Sequence, residues 1–568
     1  MISPKTFRMA IALSSALYLS TTSLSQADSY TDALKARLTV DTNSLSELSA
    51  SRRQEILTFY KNREYRPVWI VESGINTRAR RLFGAFKFAD REAMKPDDYR
   101  SLLLDTNWTI APGIELSPEI LAKLETDITI GALLYARHAS AGRVEPGKVN
   151  RAVKLIPIAE PADKILDGIS STVHPENYLT NLLPKHAQYL RLRKIYASYL
   201  DAQPVDVRPL AEWPHIKVRG VIGYGMKHPA VTLLRQRLLG PDSGQLRPSQ
   251  DSTPDTSADN INTLYDAELM KAVKAFQKRN NLWPDGIIGP TTLRVLNGTS
   301  AAPKGPSLKK KEQVALNMER YRWLPDDLGE RHVFVNQPEF KLRVFDKGEI
   351  IHQARVIVGK RQHATPVFSD KMSLVVFNPN WNVPHSIATK EILPKLQRDP
   401  YYLQRRNMRL LNPITAKPIN ASRINWQQVT RSSFRYRIRQ RPGSRNALGR
   451  IKFLFPNRHS IYLHDTPGKN LFKKQVRAFS HGCVRVQNPQ LLAEVLLSRD
   501  KGWSLSRIKK SINSGRRRTV KLNKKVPIHL AYFTTWVDKQ GNITFLEDIY
   551  GRDKKLNIAL NQIRIAMK

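Results

Sequence analysis

The chain has 568 residues, 41% of them hydrophobic, and a formal net charge of +43. That composition suits a folded protein, and the length is enough for about three to four domains at roughly 150 residues each. The charge favours anionic partners, but the basic residues are dispersed, with short clusters at 309–311 and 516–518 and no nucleic-acid motif beside them, so an acidic polymer is expected and nucleic acid is not.

Lys5 and Arg8 precede an apolar run over 9–19 and a small-residue ending, Ser25-Gln26-Ala27. This pattern predicts a secretory signal peptide over 1–27, with the mature chain starting at Asp28. The apolar run is too short and too rich in Ser and Thr to span a bilayer as a lasting anchor, and no later stretch reads as a transmembrane helix. The mature protein is therefore expected outside the cytoplasm. Cysteines in such a compartment normally pair, yet Cys483 is alone in the sequence. Its neighbours Ser480, His481, Gly482 and Arg485 are polar or minimal, which favours a reactive thiol over a small buried hydrophobe.

Residues 28–210 read as a helical scaffold domain. In "LPKHAQYLRLRKIYASYL", Tyr189, Leu192, Tyr196 and Tyr199 share one helix face, and "DITIGALLYARHASAGRV" predicts a helix stopping near Gly142. No catalytic constellation is visible there. A small three-helix module follows over 215–297. Pro229 suits the first turn of "HPAVTLLRQRLLG", Val231, Leu234 and Leu238 share a face, and Gly240 suits the cap. After a polar insert over about 241–262, Asp266 can cap a helix with Leu269, Val273 and Phe276 facing inward. Asp285-Gly286 makes a turn before a last helix near Pro290. The stretch 298–311 is rich in Pro, Gly, Ser and Lys and reads as a linker.

From 312 to 568 the pattern turns to β. Phe340, Leu342 and Val344 alternate ahead of an Asp346-Lys347-Gly348 hairpin turn. "SLVVFNPNWNVP" and "SIYLHDTPG" predict further strands, and Asn488-Pro489 is expected to cap and start a helix burying Leu491, Leu492 and Val495. "VPIHLAYFTTWVDKQGNITFLEDIYG" predicts one more hairpin. An insert over about 395–440 breaks the β pattern. It reads as a mobile capping segment, whose Tyr401, Tyr402, Arg405, Arg406 and Trp426 are expected to enclose a substrate, with surface decoration as the alternative. The class is thus multi-domain α+β, with a mostly-β C-terminal domain.

The period of two in "IYLHDTPG" turns Tyr462 and His464 to one face, with His464 at a strand end; Cys483 follows 19 residues later. An imidazole beside a thiol can take its proton, and successive N–H groups around Gly482 and Cys483 suit an oxyanion hole, so the pair suits acyl transfer. His481 is a rival base. A zinc site from His464, His481 and Cys483 is another reading, although no paired-ligand spacing supports it.

"HDTP" followed by "SHGCVR" resembles the signature of the L,D-transpeptidases, the YkuD-type catalytic domain. "NPNWNVPHSIA", "RQRPGSRNALGRIKFLFPN" and "RAFSHGCVRV" are similar to the long bacterial form, which joins a helical scaffold, a peptidoglycan-binding module and this catalytic domain; "AVKAFQ...DGIIG" resembles that module's core. The resemblance implies that Cys483 is the nucleophile and His464 the base, with the Asp465 backbone carbonyl orienting the imidazole and His481 in support. Gly482 would lend its backbone to the oxyanion, and Arg485 would hold a substrate carboxylate. Ser480 is expected as a turn hydrogen bonder, and Trp381, within "NPNWNVP", as a further substrate contact. It further implies transfer between peptidoglycan stem peptides in the periplasm with release of D-alanine, 3→3 cross-links, carbapenem susceptibility, and no metal or organic cofactor; for the module it implies wall targeting, with glycan contact and a packing role both open. The acidic partner then becomes a cell-envelope polymer. The same site could instead anchor an envelope protein to the wall or hydrolyse stems. A non-catalytic wall-binding scaffold is the reading of another class.

Overall fold

The computed structural model describes residues 29–39, 50–71, 74–201, 214–218, 220–240, 263–279, 282, 285–297 and 310–566. The expected signal peptide, the insert at 241–262 and nearly all of the expected linker lie outside the described residues. The chain divides into two compact units, Met1–Tyr196 with Val314–Lys568, and Ala197–Gln313.

In the first unit, Ser117 caps the long helix Pro118–Ala141 by accepting the Ile120 N–H, and Pro118 occupies the first turn, where its missing N–H costs nothing. The helix buries Leu121, Leu124, Ile128, Ala132 and Tyr135, and with them the carboxyl of Glu125. That carboxyl accepts hydrogen bonds from Tyr60 Oη at 2.7 Å, Val68 N at 2.6 Å and Trp69 N at 2.9 Å. Burial still raises its pKa to about 7. The helix Ala187–Asp201 buries Tyr189 and Leu192.

This helical region and the β region belong to the same compact unit. Lys154 N donates to Val367 O at 2.7 Å and Val367 N to Ala152 O at 2.9 Å, an isolated parallel bridge that ties the helical region to the residue preceding the strand Phe368–Phe377. Glu319, fully enclosed, accepts the Arg143 N–H at 2.6 Å and pairs with Arg322 at 3.0 Å, and Arg322 also donates to the Glu92 carbonyl. Buried charges persist where each is paired and hydrogen-bonded in this way.

The second unit packs Ala230–Leu239, Ala267–Arg279 and Pro290–Leu296 around Val231, Leu234, Leu269, Val273, Ile288 and Leu296. Asp266 Oδ1 accepts the Leu269 N–H at 2.9 Å, and Gln277 clamps the Asp285-Gly286 turn from both sides.

The β region builds one sheet of nine strands: β1 (Arg331–Asn336), β2 (Lys341–Asp346), β3 (Glu349–Gly359), β4 (Phe368–Phe377), β5 (Ile451–Leu454), β6 (Leu463–His464), β7 (Ala478–Ser480), β8 (Val484–Val486) and β9 (Arg518–Ala531). Their order is β7-β3-β8-β6-β5-β4-β9-β1-β2. The long β3 also pairs with β2 through its first half, so the sheet closes on itself. Lys347 and Gly348 both take positive φ, 51° and 82°, as a two-residue hairpin turn requires.

Two expectations need correction. The segment "VPIHLA" is the end of β9 and pairs with β1 and β4; the terminal hairpin is formed by Thr535–Val537 and Ile543–Phe545 alone. The helix Pro489–Lys501 buries Leu492, Ala493, Leu496 and Leu497, while Leu491 is exposed and Val495 half-buried. Its Asn488 sits in the left-handed region without a side-chain cap, so the backbone entry sets the helix's rotation. The segment that leaves the sheet forms a lobe of its own. Trp381–Asn382, Arg437–Gln440, Met408–Leu411 and Pro418–Ile419 pair as a four-stranded sheet over a core of Ala388, Ile392, Leu396, Leu403, Leu410, Trp426, Phe434 and Ile438.

Candidate active site

The site is built where β6 and β8 run parallel. Leu463 pairs with Val484 and His464 with Arg485, while antiparallel β5 sets Lys452 opposite His464. Alternation then decides orientation. Leu463, Val484, Ile451 and Phe453 go into the core, and Lys452, His464 and Arg485 share the other face. Tyr462 and Cys483, each one step outside the paired residues, extend that face. Val484 N donates to Tyr462 O at 3.2 Å, and the rings of Tyr462 and His464 lie 5.6 Å apart.

His464 is oriented by its neighbour: Nδ1–H donates to the Asp465 carbonyl, which leaves Nε2 with the lone pair. Asp465 contributes more than its backbone. Its N–H donates to Ile451 O at 2.9 Å, its Oδ2 accepts the Arg450 N–H at 2.8 Å, and its Oδ1 pairs with Lys469. The carboxyl lies so close to Gly449 that a Cβ there would sit 2.4 Å from it, and Gly449 also has φ +61°. "ALGR" is therefore a turn that only glycine fits.

Cys483 leaves a turn set by Ser480 and Gly482. Ser480 Oγ donates to the Cys483 carbonyl at 2.5 Å and accepts the Gly482 N–H at 3.1 Å, and Gly482 takes φ +113°. The Gly482 N–H expected at an oxyanion hole is thus engaged by Ser480. Behind the turn, Thr365 Oγ1 donates to the Gly482 carbonyl at 2.8 Å and accepts the Gly359 N–H at 2.9 Å. Arg552 donates to Thr365 O at 2.9 Å and Tyr550 Oη to Gly359 O at 2.5 Å. The Arg552 guanidinium lies 4.6 and 4.9 Å from the ring centroids of Tyr532 and Tyr550.

The half-buried thiol faces Ser460 O at 3.7 Å and is hydrogen-bonded by Tyr462. Burial pushes the thiol up; Tyr462, Lys452 and Arg485 act against that. Burial, with the adjacent Arg485 cation, pulls His464 down from 6.5 to about 3. Both shifts favour the neutral forms, a thiol and an imidazole, over a preformed ion pair.

His481 is engaged elsewhere. Its Nε2 contacts Glu391 of the lobe at 2.6 Å, and its ring stacks on His363 at 4.9 Å. Arg485 stands on the thiol's face, partly desolvated. Of the residues expected to enclose substrate, Trp381 is half-buried and pairs with Gln440; Tyr401 is exposed; Tyr402 lies under Lys395 and Arg406; Arg405 pairs with Asp399. Trp426 must be reassigned. It is 2% exposed, with Nε1 donating to Ala421 O at 2.8 Å, so it fills the lobe's core and offers no face to a ligand. Among the described residues, no group of three or more His, Cys, Asp or Glu could hold a metal ion.

Sequence reasoning missed Lys452, the Asp465 carboxyl and the Thr365, Tyr550 and Arg552 buttress. Lys452 alone carried a local signal: a lysine in an otherwise apolar strand, "RIKFLF", on the face opposite its buried neighbours.

Residues 330–503 match the family model of the L,D-transpeptidase catalytic domain, YkuD; residues 54–195 match the scaffold domain, and 228–296 a "Putative peptidoglycan binding domain". A Haemophilus influenzae protein described as "Putative L,D-transpeptidase" is 38% identical over 248 residues, which cover 44% of this chain and 49% of the relative, so the match spans about half of that relative's length. The L,D-transpeptidase structure (residues 123–326) from Xylanimonas cellulosilytica is 14% identical, covers 56% of this chain and 99% of that one, and has a TM-score of 0.15. A fused Zn-dependent amidase/peptidase with a peptidoglycan-binding domain from Clostridium acetobutylicum is 12% identical, covers 55% and 100%, and scores 0.14; neither superposition carries weight. The L,D-transpeptidase catalytic match thus takes in eight of the nine strands, with His464 and Cys483 among them, and stops short of β9; the segments before it match a scaffold domain and a peptidoglycan-binding domain.

Proposed function

We propose that this protein is a cysteine L,D-transpeptidase of the cell wall, acting outside the cytoplasm after removal of residues 1–27. The observation that carries the reading is the bond from His464 Nδ1–H to the Asp465 carbonyl, which leaves the Nε2 lone pair on the face shared with Cys483. In the first step His464 Nε2 takes the thiol proton as Cys483 Sγ attacks the carbonyl between the third stem residue, a diamino acid, and the terminal D-alanine. Because thiol and imidazole both start neutral, proton transfer accompanies attack. The C–N bond breaks, the proton passes to the departing D-alanine amine, and a thioester remains. In the second step a side-chain amine of another stem attacks the thioester, loses its proton to His464, and releases the thiolate with a 3→3 cross-link formed.

Arg485 supplies a cation for a stem carboxylate, and the exposed Tyr401 and basic Arg406 on the lobe suit the same acidic peptide. The oxyanion is served by the Cys483 N–H, since Ser480 occupies that of Gly482. Cys483→Ala is expected to abolish both thioester and cross-link with the fold intact, and His464→Ala to slow acylation by about 10²–10⁴-fold. Mass spectrometry of products from purified tetrapeptide stems tests this. Persistent 3→3 cross-links with Cys483→Ala would overturn it; released tripeptide alone would make the acceptor water.

A further inference from the structure

Lys452 stands out among the groups that the transfer chemistry does not use. It lies on β5 directly opposite His464, and its Nζ sits 3.7 Å from the centroid of the Tyr462 ring. The side chain is half-buried, and among the described residues no carboxylate pairs with it. Partly desolvating an ammonium without a counter-ion is costly, and a tyrosine face returns only part of that cost. The group nearest in chemistry is the sulfur of Cys483: Lys452 and Cys483 interact electrostatically, and the hydroxyl of the ring under Lys452 is the one that hydrogen-bonds the sulfur.

We propose that Lys452 is a positioning residue for the nucleophile: its ammonium, held on the Tyr462 ring, keeps the tyrosine hydroxyl on the Cys483 sulfur and supplies the positive charge against which negative charge on sulfur develops. The division of labour with Arg485 follows from the register. Both flank His464, one on β5 and one on β8, so the imidazole lies between two cations and stays neutral while the sulfur gains two cationic neighbours. Burial alone would make this thiol a poor nucleophile; the pair of cations offsets it.

The proposal rests on Cys483 being the nucleophile, but its test does not require turnover. The rate of Cys483 alkylation by iodoacetamide, followed against pH by intact mass in the full-length protein, reports the thiol's ionisation. Lys452→Met is expected to move that profile to higher pH and to slow alkylation at about pH 7.5 roughly tenfold, the effect of one pKa unit. Lys452→Arg, which keeps a cation that also stacks on aromatic rings, is expected to restore most of the rate. Stem acylation should lose kcat with KM little changed. Tyr462→Phe removes the hydroxyl while keeping the ring, so it provides an arm that survives if Lys452→Met does not fold: it too should shift the profile upward. An unshifted profile for whichever of these two variants folds overturns the proposal, as does a pure KM increase, which would make Lys452 a substrate contact. If Cys483→Ala still forms cross-links while the Lys452 profiles shift as expected, the assignment of function fails, and with it the word nucleophile, while the control of Cys483 ionisation by Lys452 stands.

Discussion

The neutral, buried imidazole of His464 has a consequence that can be measured without substrate. Its pKa falls from 6.5 to about 3 because burial and the Arg485 cation penalise the charged ring. In the unfolded chain the ring is free to take a proton near pH 6.5, so acid favours unfolding. The stability that His464 confers is fully present above pH 6.5 and is lost progressively as the pH falls toward about 3. At about pH 5 the unfolded ring gains roughly 1.5 pKa units, or about 2 kcal/mol, that the folded ring cannot take up. Replacing it by glutamine, which has no such proton to bind, removes this component. Urea unfolding of wild type and His464→Gln at about pH 7.5 and about pH 5 isolates it, because the other titrating groups cancel in the difference. They include Glu125, whose raised pKa acts in the opposite sense, gaining stability as the pH falls. The wild-type advantage should shrink by about 2 kcal/mol across that interval. A difference that stays constant would show that His464 takes up its proton as readily in the folded protein as in the unfolded chain, and the depression of its pKa by burial and Arg485 would be refuted. Acylation by wild type should likewise show no ionisation near pH 6.5 that belongs to His464.

Gly449→Ala places a side chain in the left-handed region and against the Asp465 carboxyl; about 1–2 kcal/mol of backbone strain and about 1 kcal/mol for the Arg450 bond should lower stability by roughly 2–3 kcal/mol, read by thermal unfolding. Acylation should fall as well, because the displaced Asp465 carries the carbonyl that orients His464; full activity at wild-type stability would contradict this. Trp426→Ala should empty the lobe's core at a cost of about 3–5 kcal/mol, exposing residues 388–438 to limited proteolysis while the nine-stranded sheet stays protected. Uniform resistance would mean that the lobe does not depend on that core.

What was legible in the sequence was local. Capping residues, hairpin turns and alternation identified the helices of the second unit and the strands around β6, because those signals lie within a few positions of what they determine. The Cys483 turn was legible for the same reason, since Ser480, Gly482 and Cys483 constrain one another over four residues. Lys452 was not, because a lysine on the open face of a strand is ordinarily solvated, and only the register of β5 against β6 reveals what stands beside it. Trp426 misled because an aromatic residue in an insert suggests a ligand contact, whereas an insert of that length can bury a core of its own. The Asp465 carboxyl and Thr365 depend on contacts across the sheet that no spacing encodes.

The braces behind the Cys483 turn come from late in the sequence. Thr365 holds the Gly482 carbonyl, and it is held in turn by Arg552, while Tyr550 secures the adjoining Gly359. Cys483, His464 and the lobe all lie upstream of these two residues. A chain clipped between Cys483 and Tyr550 would therefore keep Cys483, His464 and Arg485 and lose the support that shapes the turn. A protease need not reach Cys483 to loosen its turn; trimming the tail would suffice, and a shortened chain that still reacts with a thiol label would be a poor guide to how much protein keeps that turn in shape.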